Sequence, residues 1–182
     1  AASSTILNMD FVKDSTEVMI AWSKAEPAMS GRLLSEIQAE WGLDTAECCA
    51  RLQPAGAVYF QMDEGDVRRI LQYPHTMIGS DGLFHDSHPH PRLWGTFPRV
   101  LGHYSRDEGL FTLQQAIHRM TGLTARSFGL RDRGIIREGA YADLVLFDRD
   151  EIIDCGTFEQ PAIPAAGIHT VFVNGRPVWQ DG

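Results

Sequence analysis

A chain of 182 residues, 43% hydrophobic, carries enough apolar mass for a real core and has the length of one domain or a little more. A formal net charge of −8, with no basic run interleaved with aromatics, argues against a nucleic-acid or anionic-membrane surface. No apolar stretch nears the roughly 20 residues of a membrane helix, and the start Ala-Ala-Ser-Ser-Thr shows neither an initiator Met nor the charged-then-apolar pattern of a signal segment.

In chain order, Val18 to Trp22 reads as a short strand. Ser30 is placed to cap a helix whose apolar positions Leu33, Leu34, Ile37 and Trp41 share one face, with Gly42 as its stop. Asp44 with Glu47 makes the next N-cap, and Cys49 and Leu52 continue a buried stripe toward Pro54. Ala57 to Phe60 is apolar and β-prone, a strand. Asp66 then caps a helix bearing Val67, Ile70 and Leu71, Pro74 ends it, and Thr76-Met77-Ile78 follows as a buried strand. Strand, helix and strand in about twenty residues predict a βαβ unit, and with it an α/β fold containing a parallel sheet.

The tetrad Gly79-Ser80-Asp81-Gly82 closes that run, and a loop rich in histidine (His85, His88, His90) follows. One carboxylate therefore stands where a buried strand gives way to a glycine-flanked loop, the usual seat of catalytic groups in α/β enzymes. The competing reading is a Ser-Asp-Gly turn in which the carboxylate only caps the backbone. Beyond the loop, Thr112-Leu-Gln-Gln115 is a capping box that opens a helix with Leu113, Ile117 and Met120 inward and Gly122 at its end. Thr124 to Phe128 gives one more short helix before Gly129.

From Gly134 onward the texture is β. Leu144-Val145-Leu146-Phe147 is a strand, and Val171-Phe172-Val173 and Val178-Trp179 flank Asn174-Gly175, a pair that tolerates the positive φ of a type I′ hairpin turn. A boundary near residue 130 is expected. Three or four strands are marginal alone, so they are expected to pack on something else. The three cysteines, Cys48, Cys49 and Cys155, form no C-x-x-C pair, which excludes a zinc ribbon. They read as reduced, small buried hydrophobes, as in a cytoplasmic protein.

Two stretches carry a family resemblance. Gly134-x4-Gly139-x2-Ala142-Asp143-Leu144-Val145-x-Phe147-Asp148 and Val171-Phe172-Val173-Asn174-Gly175 resemble the carboxyl-terminal β-domain of metal-dependent amidohydrolases. Within that superfamily, Gly79-Ser80-Asp81-Gly82, His88-Pro-His-Pro-Arg92-Leu-Trp-Gly-Thr-Phe-Pro98, and Thr121-Gly122-Leu123 through Asp132-Arg133-Gly134 resemble the N-acyl-D-amino-acid deacylases. The resemblance is close from about residue 57 onward and looser before it. It implies a partial fold: the last strand–helix units of a (β/α)8 barrel followed by a small β-domain. Residues 1–62 would be an insertion covering the active site, 63–130 the terminal barrel units with the catalytic loop, and 131–182 the β-domain. The family's metal-binding H-x-H pair lies on the first strand, so His88-Pro89-His90 cannot be that pair, and most ligands for zinc (one or two ions) would lie outside this chain.

The resemblance also implies residue roles. Asp81 would be the general base, taking a proton from water whose pKa the metal lowers from 15.7 to about 7 and passing it to the departing amine; it could also be a weak metal ligand. Arg92 would grip the α-carboxylate of an N-acyl-D-amino acid with its planar fork, where a solvated surface arginine is the plainer reading. Tyr59 and Met62 would line the pocket for the substrate's apolar side chain, against ordinary core packing. Convergence of His85, His88 and His90 on a metal of their own competes with simple loop hydrogen bonding, which is favoured. Rival functions are a cyclic-amide hydrolase of the dihydropyrimidinase type and a non-catalytic relative that keeps the fold. The expected partners are a small-molecule substrate and the remaining amino-terminal barrel portion, with no nucleic acid and no membrane.

Overall fold

The structure, a computed structural model, describes residues 2–180, with side chains from Thr5 onward. They fall into two compact units, one comprising Ala1–Val67, Gly82–Leu93 and Thr157–Ala162, the other Arg68–Asp81, Trp94–Gly156 and Ile163–Gly182.

In the first unit an antiparallel sheet has the order β1-β3-β2, with β1 at Ala2–Ile6, β2 at Glu17–Ser23 and β3 at Ala55–Phe60. A short helix α1, Met9–Lys13, joins β1 to β2. Val18 pairs with Tyr59 and Ile20 with Ala57, and α2 (Leu34–Trp41) and α3 (Thr45–Leu52) bring Leu34, Ile37, Cys48 and Leu52 into the same core. The other face buries Met19, Ala21 and Val58, with Phe60 and Phe158 packed against them. Burial on both faces explains why Val18 to Trp22 is apolar throughout instead of alternating.

Local signals held where the chain itself closes them. Asp44 Oδ1 accepts the Glu47 amide at 2.8 Å while Glu47 Oε2 accepts the Asp44 amide at 3.1 Å, the reciprocal cap expected for α3. Gly42 ends α2 in the left-handed region at φ 64°. Ser30, however, caps nothing: the amide of Gly31 donates to Ile20 O and that of Ile20 to Arg32 O, so this segment runs alongside β2 and α2 opens only at Leu34, without a side-chain cap. Helix α4 spans Glu64–Gln72 and starts a turn earlier than predicted, because Asp63, not Asp66, supplies the capping carboxylate, to the Asp66 amide at 3.1 Å.

The predicted βαβ unit is corrected. Thr76–Ile78 pairs with no strand among the described residues, and both sheets are antiparallel. Strand β3 is flanked by β1 and β2, which leaves it no free edge.

Residues 92–107, expected as loop, are helical. Helix α5, Arg92–Arg99, runs into a wider π-helical segment at Val100–Asp107. Pro98 has no amide to donate, and the ladder re-registers after it. Gly102 lies so close to the Ile152 carbonyl that a Cβ could not fit. Helix α6, Leu113–Met120, carries the predicted capping box: the Thr112 amide donates to Gln115 Oε1 at 2.8 Å and the Gln115 amide to Thr112 Oγ1 at 3.2 Å. Its buried residues are Ala116 and Arg119, whereas Ile117 is exposed. Ile117 and Met120 face an apolar cavity of about 870 Å³ shared with Trp94, Phe97, Ile136 and Tyr141. Helix α7, Gly122–Ser127, begins at the glycine predicted to stop α6.

The second sheet has the order β4-β5-β6, with strands at Leu144–Phe147, Ile168–Val173 and Arg176–Gln180. Asn174 and Gly175 turn between β5 and β6 with φ 51° and 77°, as a type I′ turn requires. Leu144, Val145, Leu146, Val178 and Trp179 of this sheet are exposed. Among the described residues no helix is long and apolar enough to cross a membrane.

Candidate functional site

The approach to Asp81 is pinned step by step. After α4 the Thr76 hydroxyl donates to Ile70 O at 2.6 Å and the Thr76 amide to Tyr73 O at 3.0 Å, which closes the turn around Pro74. The Ile78 amide then donates to Arg119 O at 3.4 Å. Asp81 itself is exposed and adopts φ 47°, a left-handed conformation open to Asp and Asn but costly for most side chains. Gly82 follows in contact with Leu93: a Cβ there would lie 2.9 Å from Leu93 Cα, so the tetrad's last glycine is required by space.

The histidine loop is tied down by hydrogen bonds. His88 donates its amide to Ala21 O at 2.9 Å, and its Nε2 lies 2.5 Å from Phe158 O. His90 Nδ1 accepts the Arg92 amide at 3.0 Å while its ring stands edge-on to Phe158 at 5.1 Å. His85 is exposed, 3.8 Å from the buried Asp86 carboxylate. Each imidazole has its own local task, and they do not converge. Among the described residues no group of three or more His, Cys, Asp or Glu side chains could hold a metal ion. Asp81 has the donor chemistry for one ligand bond, but the described residues do not by themselves fit a bound ion.

Arg92 opens α5 and is half-buried. Met62 lies two residues beyond β3 and is exposed. Tyr59 is fully buried: its hydroxyl donates to Ile6 O at 2.9 Å and accepts the Asn8 amide at 2.8 Å, its ring meets Phe11 edge-on, and burial raises its pKa. Tyr59, Met62 and Arg92 belong to the first unit and Asp81 to the second.

Two of the motifs that carry the family resemblance, around residues 133–143 and 174–175, meet in space within the second unit. Asp143 accepts the Asn174 amide at 2.8 Å and pairs closely with Arg133, whose Nη2 donates to Asn174 Oδ1 at 2.8 Å. The Arg133 guanidinium lies over the Tyr141 ring at 4.2 Å, and the Gly175 amide donates to Ala142 O at 2.9 Å. Together the amide and the guanidinium hold the Asp143 carboxyl below the usual aspartate range. Sequence reading passed over this network because its members are far apart in the chain. It also passed over Arg119, although an arginine on the face of α6 that carries Ala116 and Met120 was a visible signal.

A model of the amidohydrolase family matches residues 17–179. A D-aminoacylase of Alcaligenes xylosoxydans xylosoxydans is 57% identical over 180 residues, covering 99% of this chain and 37% of that protein. A solved structure of D-aminoacylase, concerned with its binuclear metal centre and activation by one metal, superposes with a TM-score of 0.94 at 58% identity, over 99% of this chain and 38% of the other. The N-acyl-D-glutamate deacylase of Bordetella bronchiseptica, solved with zinc and a phosphonate mimic of the tetrahedral intermediate, gives 0.95 at 49% identity, over 98% and 38%. The chain thus spans little more than a third of the length of the relatives it matches.

Proposed function

The chain belongs to the amidohydrolase family, and from that premise we propose that it is the carboxyl-terminal portion of an N-acyl-D-amino-acid deacylase. The whole enzyme would hydrolyse the amide of an N-acyl-D-amino acid to a carboxylate and a free D-amino acid. The observation that carries this reading is the exposed Asp81 carboxylate at a left-handed turn, on a chain 57% identical to a D-aminoacylase along almost its whole length.

Asp81 is the general base: it accepts a proton from the attacking water and returns it to the departing amine. Arg92, half-buried at the start of α5, holds the substrate's α-carboxylate in two parallel hydrogen bonds. Met62 meets the substrate side chain, its flexible thioether adapting to different shapes. Tyr59 backs that pocket from inside β3, its doubly bonded hydroxyl fixing the strand end from which Met62 projects. Zinc, one ion or two, is held by residues of the longer protein, since the described residues offer no ligand cluster. Residues 63–130 belong to the end of a (β/α)8 barrel in this reading, 131–182 to its β-domain, and 1–62 to a cover over the active site. Three unpaired cysteines favour a reducing, cytoplasmic setting.

The test is hydrolysis by the full-length protein of N-acetyl-D-amino acids, their L enantiomers and hydantoins. Zinc-dependent turnover of the D compounds is expected, and the 182-residue chain by itself should turn over none of them. Hydrolysis of hydantoins with the N-acetyl-D-amino acids untouched would replace this reading with a cyclic-amide hydrolase.

A further inference from the structure

Arg119 is buried to 6% exposure, the one buried arginine among the described residues. A guanidinium in a core is costly unless its donors are used. Here Nη2 donates to Gln72 O at 3.2 Å and the group lies 4.8 Å over the Phe111 ring, while Nη1 finds no acceptor among the described residues. An apolar side chain would fill the space beside Phe111 without that penalty. What it would lack is the reach to Gln72, the last residue of α4. The main-chain carbonyl of Arg119 accepts the Ile78 amide at 3.4 Å and the Thr124 hydroxyl at 2.8 Å. Arg119 therefore grips both ends of the segment from Gln72 to Ile78, and Asp81 follows three residues later. Among the described residues no strand pairs with that segment, so these bonds, together with those of Thr76 to Ile70 and Tyr73, hold its path.

We propose that Arg119 is a positioning residue for Asp81, holding the segment that presents its carboxylate. The proposal rests on Asp81 being the base. A base displaced by an ångström loses much of its effect, while substrate grip through other residues is unchanged. In the full-length enzyme, R119M is expected to lower kcat about 10- to 100-fold with KM within about threefold, and R119K, which keeps a cationic donor, to recover most of the loss. In a D81N background R119M should add nothing further, because the carboxylate it positions is already gone. An equal loss in both backgrounds, or R119K no better than R119M, overturns the proposal.

Amide hydrogen exchange gives a readout independent of turnover. R119M, or R119Q should the methionine variant not fold, is expected to speed exchange at residues 76–81 while the α6 amides at 116–118 keep their parental rates. Unchanged exchange at 76–81 also overturns it. A fully active D81N enzyme would strike down the base assignment instead, leaving the exchange result to judge the grip on its own.

Discussion

Asp81 meets a conformational demand as well as the chemical one proposed for it. At φ 47° its backbone sits where Asn is as comfortable as Asp, while a β-branched side chain clashes with its own carbonyl. D81N in the full-length protein is therefore expected to unfold at the parental denaturant concentration, and D81V to lose about 1–2 kcal/mol. Equal midpoints for the two variants would show that the turn is not held left-handed. The Ser-Asp-Gly chemistry made this turn legible in the sequence. Tyr59 and Met62 were harder to tell apart, because either can pack in a core or line a pocket and only two residues separate them. The pleat of β3 decides: Tyr59 alternates into the core, and Met62 lies beyond the last paired residue. Cys49 behaves as read, a small core residue whose burial pushes its thiol up to about 11.

At the scale of elements, most signals closed within a few residues survived folding, and two that depend on a distant partner did not. Both capping boxes and the Asn174-Gly175 turn are of the first kind. The position of Ser30 depended on pairing with β2, and Thr76–Ile78 has a strand's composition without a strand beside it. The Asp143 network joins two locally legible pieces, tying the β5–β6 hairpin to the segment around Tyr141 through Arg133 and Asn174. Its folded carboxyl is held below the unfolded value of about 3.9. The stabilisation is thus fully present above that value and is lost as pH falls through the lower folded one. Melting followed from pH 6 down to pH 2 should show D143N losing less stability than the parent over the acid end. Parallel curves would show that the network contributes nothing on balance.

For the molecule as a whole, composition and length predicted a globular chain with a core, and motif resemblance predicted its family, which the match over residues 17–179 bears out. Neither could show how the helices after Arg92 run, because Pro98 reads as a breaker and acts instead as the point where the helix widens. The exposed apolar faces of β4 and β6 fit the expectation that this sheet does not stand alone. The same holds for chemistry: one carboxylate and one arginine of proposed role, with no cluster for a metal among the described residues. The most direct test of the account is the rate at which full-length D81N hydrolyses an N-acetyl-D-amino acid, with zinc content matched to the parent. A fall in kcat of about 10²- to 10⁴-fold is the predicted result, and turnover at the parental rate would contradict it.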